Sequence, residues 1–262
     1  MNYTGVPPAW RLPDGVDAPL WHYTHTPRLA AEEDAYFAEH PLFRVDAAIL
    51  ESRFAVPGPL IDLGCGAGRH AIRFAERGFS VVAVDLSRPM LEVVGMKGRE
   101  QEVSVLGVQA NLCHLDMFPD HSFDYALSMF STLGMIRGRS ARMRALSEAA
   151  RLLRPGGRVA IHAHNLWLNL RDRQGRAWLV KEFGKSVLEW REFGNRRMNY
   201  RGIAGMSVHL YRWGELARDI GASGLQIDEV CPLDEVTSES VAPGWFSRRF
   251  RAGGWIVFAS RK

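Results

Sequence analysis

The feature that most constrains this 262-residue chain is a glycine cluster, Gly64-Cys-Gly66-Ala-Gly68, set between two segments of different periodicity. Ahead of it, Pro59 to Gly64 is a short apolar run behind the breaker Pro57-Gly58-Pro59, which predicts a strand. Behind it, Ala71, Phe74 and Ala75 recur at helical steps until Gly78 stops them. Glycines at such a junction let the backbone turn sharply and approach a ligand with no Cβ in the way, beside the free N–H groups of a helix end. The next apolar run, Phe79 to Asp85, closes on an acid near the offset at which a carboxylate reaches a ribose. The spacing is G-x-G-x-G, and Arg69 stands where a dinucleotide fingerprint has its third glycine. A bulky side chain where helix and strand should pack closely argues against NAD or FAD.

The alternation continues. A helix is expected from about Arg88 to Glu100, strands over 103–109 and 123–129, and a helix from Arg139 to Leu153 bearing Met143, Leu146, Ala150 and Leu153. Arg154-Pro-Gly-Gly157 reads as a tight turn before a fifth strand, Arg158 to His162. Beyond Asn165 the rhythm breaks. Trp178 to Trp190 suits a helix with Val180, Phe183, Val187 and Trp190 as its apolar positions, and Trp167, Trp178 and Trp190 read as the core of a lid. Residues 196–211 suggest an extended hairpin, Trp213 to Ile220 a helix, and Leu225 to Val230 a strand. A polar loop over 234–252 leads to a last strand from Gly254 to Ala259. Arg28 to Phe54 reads as one or two helices interrupted at Pro41. The expected divisions are a helical cap over 1–56, a ligand-binding core over 57–164, an inserted acceptor-pocket segment over 165–211 and the rest of the core over 212–262.

Four ordered motifs carry a family resemblance. Leu60-Ile-Asp-Leu-Gly-Cys-Gly-Ala-Gly-Arg-His70 and Val81-Val-Ala-Val-Asp-Leu-Ser-Arg-Pro-Met-Leu91 resemble the first two motifs of the class I S-adenosylmethionine-dependent methyltransferases. Asp120-His-Ser-Phe-Asp-Tyr-Ala-Leu127 resembles their fourth-strand motif, and Leu152-Leu-Arg-Pro-Gly-Gly-Arg-Val-Ala-Ile161 their helix, turn and fifth strand. The resemblance implies a Rossmann-like α/β fold: a seven-stranded, mostly parallel sheet with an antiparallel last strand, helices on both faces, N-terminal helices and a lid inserted after the fifth strand. It also implies S-adenosyl-L-methionine as cofactor and S-adenosyl-L-homocysteine as product. Asp62 and Gly64 would then face the methionine part, with Cys65, Gly66 and Gly68 in the loop that supports it. Asp85 would hold the ribose, and Leu86 and Met90 would flank the adenine. Asn111 stands where the family commonly has an aspartate beside the adenine amino group, so its amide oxygen would accept that N–H, with Leu112 next to it. Met129 and Phe130 would line the methyl-transfer site.

The acceptor is less defined. Methyl transfer from a sulfonium is an in-line displacement that needs no metal, and His162-Ala-His164 lacks a third ligand of suitable spacing. His164, at the end of the fifth strand, and His209 are the residues expected to touch the acceptor. The run Phe130-Ser-Thr-Leu-Gly134 resembles bacterial small-molecule methyltransferases, which makes a small molecule with an oxygen, nitrogen or carbon nucleophile the first reading. The second is an RNA substrate. His209 to Leu216 and Gly253 to Val257 show a fainter similarity to the tRNA wobble-uridine methyltransferases, and residues 165–213 hold ten Lys or Arg against four Asp or Glu. The third is a catalytically silent cofactor-binding regulator. Three cysteines in no paired spacing, no signal-peptide pattern and no membrane-length apolar run suggest a cytoplasmic protein without a membrane partner; the oligomeric state is left open.

Overall fold

The computed structural model describes residues 6–190, 192–233 and 252–262. Four short helices come first: α1 (Ala18–Thr24), α2 (Pro27–Ala31), α3 (Glu33–Phe37) and α4 (Pro41–Arg53). The alternating part follows as β1 (Pro59–Leu63), α5 (Arg69–Glu76), β2 (Ser80–Asp85), α6 (Arg88–Glu100), β3 (Val105–Gln109) and β4 (Phe123–Ser128). It continues through α7 (Thr132–Met135), α8 (Arg139–Leu152) and β5 (Leu153–His164). The insertion is α9 (Arg173–Leu188) and a separate hairpin of β6 (Asn195–Tyr200) and β7 (Ile203–His209). α10 (Trp213–Ala222), β8 (Leu225–Leu233) and β9 (Gly254–Arg261) complete the chain.

The main sheet has seven strands in the order β3-β2-β1-β4-β5-β9-β8. Its first five strands pair in parallel, and β9 lies antiparallel between β5 and β8. This is the fold expected from the motifs. Successive β1 residues face opposite sides, as the strand period requires: Leu60 packs with Phe54, Phe74 and Phe258, and Ile61 with Leu146, Val159 and Val257. Helices α4, α5 and α6 cover the first face, α8 and α10 the second. Order reversal between β1 and β4 opens a crevice at the carboxyl ends of the strands, where open parallel sheets receive ligands.

Three expectations need correction. The Arg154–Gly157 segment does not precede the fifth strand but lies within it, as an irregularity opposite Phe123 and Tyr125 in which Gly156 takes φ +77°. In α9, Val180, Phe183 and Val187 are exposed rather than core-facing, because the helix packs through Gly175, Leu179 and Glu182. Trp190 is 97% exposed, so it is no part of a lid core. The predicted loop over 234–252 falls outside the described residues except for Ala252.

Gly68, and not the Arg69 position, makes the close contact at the start of α5, and makes it against α6 rather than a strand. It caps α5 with φ +78°, and a Cβ there would meet Val94 Cγ2 of α6 at 2.7 Å. Arg69 points away to α4 instead, where it pairs with the buried Asp46. Gly224, one residue past the Ser223 cap of α10, also has a positive φ, +90°, with open space around it. Gly224→Ala should therefore cost only the backbone strain, about 1 kcal/mol, while Gly68→Ala adds a steric clash for a total of about 2–3 kcal/mol. Urea unfolding of the two variants checks this, and equal losses would contradict it.

Candidate functional site

Asp85 organises the crevice. At the end of β2 its Oδ2 accepts the Gly66 N–H at 2.9 Å and its Oδ1 accepts the Ser87 N–H at 2.8 Å. Gly64 and Cys65 donate to Val84 O from the other side of the turn, at 2.8 and 3.1 Å. One carboxylate thus ties the glycine loop to the start of α6, whose first turn Ser87 caps. Burial raises the Asp85 pKa, and the backbone N–H groups only partly offset it. Asp62, 2% exposed in β1, is pushed up to about 7 by burial, with Arg69 pulling it down and Asp85 adding to the rise.

A cavity of about 170 Å³ lies over this loop. Its floor follows the sheet order. Asn111 and Leu112 lie beyond β3, Asp85, Leu86 and Met90 at β2, Asp62, Gly64, Cys65 and Gly66 at β1, and Met129 and Phe130 at β4. Of the loop residues expected at the ligand, Gly68 alone is absent from the lining; it is turned into the contact with Val94. Asn111 is present but already engaged. Its amide oxygen accepts the Cys113 N–H at 3.0 Å, closing a local turn, and its amide nitrogen donates to Asp14 O at 2.8 Å. The side chain therefore braces the cavity wall instead of presenting an uncommitted acceptor.

Residues that no motif pointed to roof the cavity. Tyr23, Thr24, Glu33 and Asp34 come from the N-terminal helices and Tyr200 from the hairpin. Arg201, in the β6–β7 turn, pairs with Glu33, donates to Leu29 O at 2.9 Å and stacks 4.5 Å above the Tyr36 ring. Lys97 of α6 holds Asp34 and donates to Ala67 O at 2.8 Å. Arg69 lies 3.6 Å over the Phe43 ring while gripping Asp46. Burial would raise the Asp46 pKa, but hydrogen bonds from Arg69 and His70 hold it far below the usual carboxylate range. Cap and insertion are thus fastened over the crevice by ion pairs between elements distant in sequence. Thr132, which donates to Met129 O at 2.8 Å, lines the cavity from within a quoted motif, as do Ala67, Arg69, His70 and Ser87.

A second cavity, about 530 Å³, adjoins the first and shares Phe130, Met135 and Tyr200 with it. Phe130 and Ser131 hold φ of +50° and +60°, a conformation that costs a side-chain-bearing residue about 1 kcal/mol or more. The strained turn places the Phe130 ring between the cavities, packed against Phe37, His40 and Phe43 at 4.8–5.1 Å. His164 lines the second cavity. His209 does not line either cavity. Its buried ring is bonded to Glu215 Oε1 at 2.7 Å and to Asn195 Oδ1 at 3.1 Å, so it braces the insertion. Glu192, His209 and Glu215 bring three potential metal-ligating atoms within 4.8 Å of one another. Both carboxylates already have cationic partners, Arg142 for Glu192 and Arg212 for Glu215, which marks the group as an ion-pair network.

Residues 61–161 match a family model described as a methyltransferase domain. Among curated relatives, an uncharacterized methyltransferase of Mycobacterium tuberculosis is 36% identical over 49% of this chain and 46% of its own length. The 27-O-demethylrifamycin SV methyltransferase of Amycolatopsis mediterranei is 32% identical over 49% and 47%. The chain thus spans about half the length of these relatives. Among solved structures, Burkholderia thailandensis 1,6-didemethyltoxoflavin-N1-methyltransferase, with bound 1,6-didemethyltoxoflavin and S-adenosylhomocysteine, shares the fold. Its TM-score is 0.61, at 18% identity over 90% of this chain and 84% of that one. Residues 61–161, which hold the glycine loop and the strand-end acid, are thus similar to a methyltransferase domain, and the sheet around them has the fold of a solved S-adenosylmethionine-dependent methyltransferase.

Proposed function

We propose that this protein transfers a methyl group from S-adenosylmethionine, held in the first cavity, to a small-molecule nucleophile in the second. The observation that carries the reading is the junction of the two cavities at Phe130, Met135 and Tyr200, beside the glycine loop. Displacement at a methyl group requires donor and nucleophile in line with water excluded, and two cavities meeting at one aromatic ring provide that arrangement.

The lining suits a cationic adenosyl donor. Of the lining acids, Glu33 and Asp34 are taken up by Arg201 and Lys97, which leaves Asp62 and Asp85 facing the cavity; among the described residues its one lining arginine, Arg69, is committed to Asp46. A dinucleotide's pyrophosphate would meet these carboxylates. Asp85 lines the cavity with both oxygens already aligned by backbone N–H groups, and their remaining lone pairs can accept two ribose hydroxyls. Leu86, Met90 and Leu112 offer apolar contact to the adenine. Asp62 and the Gly64–Gly66 backbone would hold the methionine part. The bound donor supplies an activated methyl group; the chain's residues bind it, orient it and exclude water.

A small acceptor accords with how the insertion spends its charge. Arg201 is paired with Glu33, Arg212 with Glu215, and Arg196 bonds Asn169 and lies 5.6 Å over Trp178, so these cations are not arrayed for a phosphate backbone. The relatives named for a rifamycin and for a toxoflavin precursor point the same way. Among the described residues, no helix is long and apolar enough to cross a membrane.

Two outcomes are expected. In calorimetric titrations both S-adenosylmethionine and S-adenosylhomocysteine bind and NAD does not, and Asp85→Asn weakens both by about tenfold or more through the lost charge-assisted hydrogen bonds. A preference for NAD would overturn the assignment. The second outcome concerns protons. Because Asp62 sits near 7 in the folded protein and a cation favours its ionised form, donor binding at pH 7 should release up to about half a proton. Titrations in buffers of different ionisation enthalpy measure this, and proton uptake or no exchange would contradict it. The same shift makes Asp62 a pH-dependent cost. The stability it contributes is complete below the unfolded carboxylate pKa and is lost as pH rises through about 7, so Asp62→Asn should gain on the wild type between pH 4 and 8.

A further inference from the structure

We infer that the acceptor is a planar aromatic molecule carrying a hydroxyl, with Ser131 positioning the hydroxyl oxygen and His164 taking its proton; this rests on the methyl-transfer reading above. The second cavity is walled by the rings of Phe37, Phe130 and Tyr200 and the thioethers of Met135, Met198 and Met206. Flat rings with polarisable sulfurs around them match an aromatic plane and give little to an extended polar chain.

The polar atoms at this cavity are few. Ser131 is a lining residue and 2% exposed, and its buried hydroxyl has no hydrogen-bond partner within the protein. A buried hydroxyl left unpaired is costly, and the backbone around it is held at positive φ to keep it there. A ligand hydroxyl would satisfy it. His40 accepts the Leu42 N–H on Nδ1, so the neutral ring carries its proton on Nε2 and can only donate from that side. His164 stands at the carboxyl end of β5, its ring edge-on to His162 at 4.9 Å. Burial keeps His162 neutral, so it adds no charge beside His164. Among the described residues, no lysine or arginine lines this cavity, and the one carboxylate that does, Glu39, sits at the exposed rim. An ammonium would find no counter-charge there, whereas a neutral hydroxyl needs none and can pair with Ser131.

The step balances without further reagents. A lone pair of the hydroxyl oxygen forms the new bond to the methyl carbon, and the carbon–sulfur bond breaks with its electrons staying on sulfur as a neutral thioether. The hydroxyl proton passes to a ring nitrogen of His164 and from there to water. A sulfonium cation, a neutral phenol and a neutral imidazole become an aryl methyl ether, a thioether and an imidazolium.

The test uses 2-naphthol, 4-nitrophenol, cyclohexanol and benzylamine with the full chain. Binding is followed with and without S-adenosylhomocysteine, by naphthol fluorescence for the first and calorimetry for the rest, and turnover by S-adenosylhomocysteine formation. The two phenols should bind and be methylated, cyclohexanol and benzylamine should not. Ser131→Gly keeps the backbone conformation and deletes the hydroxyl; it should raise KM for 2-naphthol about fivefold to tenfold with kcat little changed. His164→Asn should lower kcat on 2-naphthol by about 100-fold, yet far less on 4-nitrophenol, which is already ionised at pH 8. The inference is overturned if phenols bind no better than cyclohexanol or benzylamine, or if either variant behaves as wild type. Phenol binding by a protein that ignores S-adenosylmethionine would sink the donor assignment and leave the cavity assignment standing.

Discussion

The rest of the site depends on a single carboxylate that two backbone segments share. Asp85 receives one N–H from the glycine loop and another from the start of α6, so the turn after β1 and the helix after β2 are set relative to each other before a ligand arrives. Charge-assisted bonds of this kind are stronger than neutral ones, and here they are buried, where a carboxylate without them would be costly. The raised pKa shows that the compensation is incomplete. A carboxylate poised in that way gains from any ligand that donates hydroxyl hydrogens to it, so on the proposed reading the group that shapes the crevice would also bind the ribose.

The cap is built on different physics. Its helices are short, α2 and α3 being five residues each, too short to hold together by their own hydrogen bonds. Long-range ion pairs fix them: Asp46 to Arg69, Glu33 to Arg201, Asp34 to Lys97. The insertion is fastened likewise, with the fully buried Arg142 of α8 reaching Glu192 and the carbonyl of Ile136. Where the side chain of one partner is buried, as those of Asp46, Arg201 and Arg142 are, breaking the pair leaves a stranded charge, which makes those clamps less tolerant of substitution than the half-exposed Asp34 pair.

How much of this was legible in the sequence follows from the range of each interaction. The parallel core reads directly because strands such as Ser80–Asp85 and helices such as Arg88–Glu100 carry their period locally, and the loop motif announces its own turn. The irregularity inside β5 was hidden because Arg154-Pro-Gly-Gly157 has turn chemistry, yet pairing with β4 on both sides keeps it in the sheet. The apolar positions of α9 have a helical period but face solvent, since periodicity shows that a face exists and not what covers it. Tyr23, Glu33, Tyr200 and Arg201 were invisible for a further reason: they converge from segments more than 160 residues apart, as Glu33 and Arg201 do, and no local pattern encodes that meeting. His209 shows the converse. Its place within a quoted motif suggested ligand contact, but Glu215 and Asn195 occupy its ring.

The central claim is that one crevice holds an adenosyl sulfonium with its methyl group directed past Phe130 into the aromatic chamber. A crystal structure of the protein soaked with S-adenosylhomocysteine tests this most directly. The account predicts both ribose hydroxyls within hydrogen-bond distance of Asp85 and the ligand sulfur beside Phe130, facing the second cavity. Density for the ligand elsewhere, or a sulfur turned away from that cavity, would contradict it.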